Sequence, residues 1–315
     1  MATMTRTQST TSRWKSSLLL RRMWRARYLY LFILPTLVYF FIFSYIPYYG
    51  LSIAFKDFKI FWGIGRSPWV GFKYFQEFFN SPDFTRLLRN TLLISVMRII
   101  FGFPVPVIFA LLLNEVRHMW YKRSIQTITY FPHFLSWVVY AGIMLVFIAP
   151  TGIVNQITTA AGGQKIPILT NGTYFLPMLI LTDIMKGFGF GAIIYLAALA
   201  GIDPQLYEAA VVDGANKWQQ VRHVTIPGIR STIVVMLILS LGGLMNAGFD
   251  QIFQFYNASV QESADIIDTF VYRIGLQSSQ FSLGTAVGMF KGIIGLILIV
   301  TANSIVRRTG EYSIW

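Results

Sequence analysis

Residues 202–230 read Ile-Asp-Pro-Gln-Leu-Tyr-Glu-Ala-Ala-Val-Val-Asp-Gly-Ala-Asn-Lys-Trp-Gln-Gln-Val-Arg-His-Val-Thr-Ile-Pro-Gly-Ile-Arg. Asp203 followed by Pro204 is a helix start, with the carboxylate as N-cap and proline at the first helical position. Gly214 is placed to end that helix, because glycine takes up the left-handed conformation without a Cβ clash. The spacing predicts a second short helix from Asn216 to about Val224, stopping before Pro227. Two stubby helices hinged at a glycine are expected. Ala209 and Ala210 leave room for another surface to approach closely, and Glu208 sits in the first turn, where it complements the helix dipole or meets a basic partner. Spacing alone is equally consistent with a plain loop.

What flanks this stretch decides the fold class. Of the 315 residues, 55% are hydrophobic and 12% charged, about half the charge of an ordinary soluble domain. So little charge cannot cover a water-facing surface. Six runs reach the roughly 20 apolar residues that a membrane-crossing helix needs: 28–46 closed by Pro47, 90–113 with Arg98 inside it, 127–149 closed by Pro150, 175–200 with Asp183 and Lys186, 231–253 with Asn246 and Asp250 near its end, and 283–306 with Lys291. The expected fold is an all-α integral membrane protein with about six transmembrane helices.

The net charge of +13 would suggest nucleic acid in a soluble protein. Here it lies outside the apolar runs and no aromatic-basic platform accompanies it, so no nucleic acid is expected. Fifteen Lys and Arg fall in the tail 1–27, in the segments after the second and fourth runs, and at Arg307 and Arg308. Seven fall in 47–86, at Lys165 and at Arg273. By the positive-inside rule both termini, and the 202–230 segment, are expected in the cytoplasm. The basic stretch Arg13 to Arg27 precedes an apolar run too long for a signal peptide and without a small-x-small cleavage pattern, so that run is expected to stay. The expected organisation is a basic cytoplasmic tail (1–27), one transmembrane unit (28–306) and a short cytoplasmic tail (307–315). Aromatic-rich 47–86 is expected to lie as an amphipathic piece in the outer interface. Residues 150–172 read as loop, and 254–282 as a short helical pattern around Glu262, Asp265 and Asp268.

There is no cysteine, which excludes disulfides and thiolate ligands. His118, His133 and His223 have no metal-site spacing and read as interfacial or loop residues. No G-x4-GK[ST] phosphate loop occurs, so any ATP and Mg²⁺ belong to another chain, and no cofactor is expected in this one. Polar groups inside the spans are expensive and usually face a cavity or a partner. Asn246, Asp250 and Gln254 recur every four residues, which puts them on one face of the fifth helix, either lining a hydrated path or at the outer interface. Asp183 and Lys186 read as an intrahelical ion pair or as groups facing a partner. Arg98 and Lys291 are buried in the bundle, snorkel, or line the cavity. Were Arg98, Lys186 and Lys291 to share one cavity, an acidic saccharide would suit it. Gly187, Gly189 and Gly191 lie within a span and read as close-packing positions.

Glu208-Ala209-Ala210, three residues, Gly214, nine residues and Val224-x-Ile226-Pro227 resemble the EAA signature of ABC importer permeases, EAA-x3-G-x9-I-x-L-P. Val224 replaces Ile and Ile226 replaces Leu, both conservatively. Asp213-Gly214-Ala215, Tyr195 to Leu199, Trp69-Val70-Gly71 and Asn90-Thr91 resemble the sugar-importing branch, and oligosaccharide and polysaccharide permeases are similar over nearly the whole chain. The resemblance implies a type I importer permease in the bacterial cytoplasmic (inner) membrane, with no catalysis of its own. It implies that 204–227 form coupling helices seated in an ATPase subunit, with Glu208, Ala209, Ala210, Asp213, Gly214 and Pro227 as coupling positions. It further implies a second homologous permease (a heterodimer), two ATPase subunits and an extracytoplasmic solute-binding protein. Two other classes compete on composition alone. A membrane-embedded glycosyl or prenyl transferase would need clustered carboxylates for Mg²⁺, and the thirteen Asp and Glu are scattered. A lone ion-coupled carrier would need paired broken helices in inverted repeats.

Overall fold

The longest apolar run becomes the axis of the bundle. In a computed structural model, which describes residues 24–308, a helix spans Gly172–Ala200, opened by the Asn171 side chain accepting from the Thr173 amide at 2.9 Å. At 1.5 Å per residue its 29 residues exceed the ~30 Å hydrocarbon core of a bilayer. Thirty-nine per cent of its most apolar window is buried, against none of that of the first helix; one is central and the other peripheral.

In chain order the elements are α1 (Arg27–Phe55), α2 (Lys73–Phe79), α3 (Asp83–Asn114), α4 (Met119–Tyr130), α5 (Trp137–Ile148), α6 (Ile153–Ala160), α7 (Gly172–Ala200), α8 (Pro204–Val212), α9 (Lys217–Gly228), α10 (Arg230–Gly242), α11 (Phe249–Phe255) and α12 (Phe281–Arg308). Short turns of helix fill 258–277. Among the described residues the only β feature is an isolated antiparallel bridge between Lys56 and Trp69.

Among the described residues, α1, α3, the stretch from α5 through α6, α7 and α12 are long and apolar enough to cross a membrane, and the bent pair α9–α10, taken as one span, adds a sixth. The fourth and sixth runs fold as expected. The second run also lies within a single span, α3, whereas the first, third and fifth depart from the simple reading, each for a local reason. The first does not close at Pro47: the chain continues as a 3₁₀ helix over Ile46–Phe55, since proline is tolerated in a first turn where no amide partner is needed. The third is not one helix from 127 to 149. Pro132 ends α4 in a 3₁₀ turn, Phe131–Phe134, and Ser136 caps a new helix by accepting from the Val139 amide. The fifth stops at Gly242 and resumes at Phe249 after an irregular stretch ending in Gly248, whose φ is +84°. The stretch 150–172, read as loop, contains α6. Its buried Asn155 clamps the returning chain by accepting from the Ile166 amide at 2.7 Å and donating to the Ile166 carbonyl at 3.2 Å. The basic residues before 24 and the tail after 308 lie outside the described residues.

Three apolar clusters hold the bundle together. One joins Phe175, Met178 and Leu179 of α7 to Ile252 and Phe255 of α11. A second, around Phe78, Leu87, Phe270, Leu283 and Val287, ties α2 and α3 to α12. The third packs Ala110, Ala192, Tyr195, Leu199 and Ile229. The aromatics of 47–86 join this framework: Phe55 stacks on Trp69 at 5.5 Å, and Ala54 and Phe75 bury against Ala286. Of Gly187, Gly189 and Gly191 in α7, two serve close packing. A Cβ at Gly189 would run into the Thr129 backbone, and one at Gly191 would lie 3.3 Å from Pro106, whereas Gly187 faces open space.

Candidate functional site

The helix pair at 202–230 forms as the local signals require. Asp203 accepts from the Gln205 amide at 3.0 Å. The end of α8 closes as a Schellman motif: the Ala215 amide donates to the Ala210 carbonyl at 2.9 Å and the Gly214 amide to Val211 at 3.0 Å, with Gly214 at φ +78°. Asn216 and Gln219 form a reciprocal capping box, 2.9 and 2.7 Å. One expectation needs correcting. The second helix runs through Pro227 to Gly228, because Val221–Thr225 widens into a π turn in which the Ile226 amide reaches back five residues to Val221, making room for a residue with no amide hydrogen.

This pair sits at the end of the bundle where α3 finishes. Lys217 pairs with Glu115 at 3.2 Å, Tyr207 shares a hydrogen bond with Thr225 at 3.0 Å, and Ile229 is fully buried against the core. Beyond that anchor the pair exposes four large apolar side chains, Leu206, Val211, Trp218 and Val212, the last 86% exposed. Ala209, Ala210, Asp213 and Gly214 line a recess of about 400 Å³, and Glu208 lines a neighbouring one of about 630 Å³.

The intramembrane polar residues separate into two chambers. The break in the fifth span removes the single helical face expected for Asn246, Asp250 and Gln254: Asn246 lies in the irregular stretch, and Gln254 does not reach the cavity. Asn246 and Asp250 nevertheless line one chamber of about 540 Å³ together with Trp137, Tyr272, Asp268 and Lys291. Lys291 is paired with Asp268 at 2.6 Å. A second chamber, about 290 Å³, is lined by Ser95, Arg98, Tyr195, Ser240 and again Asn246. The three cations therefore do not share a cavity. Arg98 belongs to the second chamber and Lys291 to the first, while Lys186 donates to the His133 carbonyl at 2.9 Å and lies 5.2 Å from the Trp137 ring centre. Nor do Asp183 and Lys186 pair along α7; Asp183 pairs with Arg98 at 3.4 Å. His133 stacks on Phe190 at 3.9 Å, a packing role.

Sequence reading missed Gln251. It is fully buried, donates to the Leu179 carbonyl at 2.8 Å and to Thr182 at 2.7 Å, and accepts from Arg98, so it fastens α11 to α7. Asp265 was noted only as one of a loose acidic group. It is fully buried, held by Arg273 at 2.7 and 3.1 Å and by Arg86 at 3.3 Å, and it locks 258–277 to the start of α3. Among the described residues no three His, Asp or Glu converge on a metal-sized site.

Comparison with known proteins places this geometry. Residues 102–309 match the family described as binding-protein-dependent transport system inner membrane component. The chain belongs to this family. It is an inner-membrane component of a binding-protein-dependent transporter, a non-enzymatic subunit. It is 47% identical to the protein LplB of Bacillus subtilis, over 90% of each chain. It is 45% identical to the polygalacturonan/rhamnogalacturonan transport system permease YteP of the same organism, over 96% of this chain and 94% of that one. Among solved structures it resembles a chain of a bacterial ABC transporter importing the acidic polysaccharide alginate, with a TM-score of 0.86, 40% identity and coverage of 92% of this chain and 98% of that chain. The alginate transporter bound to its pentasaccharide-loaded periplasmic protein matches equally, at 0.86 and 38% identity, over 94% of this chain and 99% of that one.

Proposed function

We propose that this chain is one transmembrane subunit of an ATP-driven importer that carries acidic oligosaccharides across the bacterial inner membrane. A second, related permease completes the pathway, two ATPase subunits bind ATP and Mg²⁺, and an extracytoplasmic solute-binding protein delivers the sugar. The helix pair α8–α9 lies on the cytoplasmic side with both termini, as the Lys and Arg distribution favours, and seats in the ATPase. The coupling positions are Glu208, Ala209, Ala210, Asp213, Gly214 and Pro227. Residues 28–306 act as one unit in which nucleotide-driven closure of the ATPases moves the attached spans.

The observation that carries this reading is the pair itself: rigidly capped, anchored at Ile229, and presenting Leu206, Val211, Val212 and Trp218 outward. An exposed apolar patch of this kind marks an interaction surface. The anionic sugar is supported by the substrates that the names of YteP and the alginate importer carry. Lys291, Asp250 and Asn246 in one chamber and Arg98 in the next are candidate path residues, with Asp183 behind Arg98 and Lys186 alongside.

The test is co-purification and transport. Replacing Val211 and Val212 by Ser and Glu208 by Lys should abolish both co-purification of the ATPase and ATP-driven uptake of a uronate oligomer, with membrane insertion intact. Uptake that persists in vesicles lacking any ATPase chain would refute the proposal.

A further inference from the structure

Two residues that line the second chamber carry polar atoms the protein itself leaves unused. Ser95 is 3% exposed, and its hydroxyl has no hydrogen-bond partner. A helical hydroxyl ordinarily returns to the carbonyl one turn back, as Thr91 does to Leu87 at 2.7 Å on the same helix. Arg98, three residues beyond Ser95 and therefore on the same face, uses one terminal nitrogen for Asp183 and the other for Gln251. Its Nε is buried and unpartnered. Both residues line the chamber, to which Asn246 adds an exposed amide and Tyr195 an aromatic wall. Buried donors without partners are unfavourable and uncommon, and here two of them belong to residues that line one cavity.

We infer that this chamber is a subsite for a single uronate residue of the passing chain. The Nε edge of Arg98 donates to the carboxylate, and Ser95 and Asn246 bind neighbouring hydroxyls. A guanidinium suits this role because its planar fork of five donors serves two partners and still offers an edge to a third. Asp183 balances its charge, so the empty chamber is neutral and the sugar's carboxylate supplies the extra negative charge only in passing. The inference rests on the importer reading and adds the position at which the anionic group is recognised.

The experiment uses the whole importer in liposomes, with ATP, and compares uptake of trigalacturonate with that of its methyl ester. Arg98→Gln is expected to lower the acid-to-ester ratio roughly tenfold or more relative to the unmodified chain, the scale of one charged hydrogen bond. Arg98→Lys should retain part of the preference. An Arg98→Gln importer with an unchanged ratio overturns the subsite. Because the chain has no cysteine, Ser95→Cys provides a second measurement that leaves Arg98 intact. Trigalacturonate should slow its modification by a thiol reagent and the methyl ester should not; equal rates in all three conditions overturn the subsite as well. An unmodified complex that takes up neither compound under ATP defeats the importer reading itself, and the subsite with it.

Discussion

Alanine at position 248 is expected to cost far more stability than alanine at position 214, although the two glycines have nearly the same backbone conformation, φ +84° and +78°. An L-residue in that region costs about 1–2 kcal/mol. At Gly214 an added Cβ meets nothing within 4 Å, so this strain is the whole cost. At Gly248 the Cβ would fall on the guanidinium of Arg98. A guanidinium in open surroundings would swing aside, but this one is held by Asp183 and Gln251. Displacing it forfeits at least one charged hydrogen bond, about 1.5–3 kcal/mol, for a total of roughly 2.5–5 kcal/mol. The assay is thermal unfolding of the purified complex in detergent, followed by intrinsic fluorescence. Gly248→Ala should lower the midpoint well below that of Gly214→Ala in the native background. With Arg98→Ala and Asp183→Asn already in place there is no guanidinium to displace, so the two alanines should become equivalent. If Gly248→Ala costs the same in both backgrounds, the Arg98 contact is not what makes glycine necessary there.

Two further outcomes are expected. Asp265→Asn leaves Arg273 without its carboxylate and Arg86 with Asp83 alone, at 2.6 Å; removing one member of a buried pair costs about 3 kcal/mol or more, and should show as a lowered unfolding midpoint and faster proteolysis within 258–277. At the same end of the bundle Tyr74 donates to Asp57 at 2.8 Å, which holds the Asp57 carboxyl below its usual range, while burial and that contact push the Tyr74 phenol up to about 12. The stabilisation from the Asp57 carboxylate is therefore present above the ordinary carboxylate range and is lost as pH falls through the lowered value. Tyr74→Phe should move the Asp57 titration upward in a carboxyl-resolved NMR experiment, and an unmoved titration would assign the shift instead to Lys59, which pairs with Asp57 at 3.3 Å.

What could be read in the sequence was local. Asp203, Gly214, Asn216 and Gln219 act within a few residues, and all four cap as their types require. The apolar runs fixed the existence of the spans for the same reason: length and hydropathy suffice. Continuity was harder to see. The four-residue spacing of Asn246, Asp250 and Gln254 counts as one face only if the helix is unbroken, and hydropathy does not register that Gly242, Gly243 and Gly248 interrupt it. Pro132 carried a readable warning that an apolar stretch can be two helices. Pairings across the bundle, Arg98 with Asp183 and Gln251, or Asp265 with Arg86 and Arg273, depend on which helices are neighbours, and no spacing along the chain records that.

The gap between Gly242 and Phe249 has a mechanical consequence. A displacement applied at α9 travels along α10 as through a rod, but along the chain it reaches α11 through the irregular stretch 243–248, and α11 is pinned by Gln251 to α7. The wall carrying Ser240 can thus shift while the wall carrying Asp250 stays put. The two compartments, joined at Asn246, are free to widen and narrow in turn, as the paired doors of an airlock do.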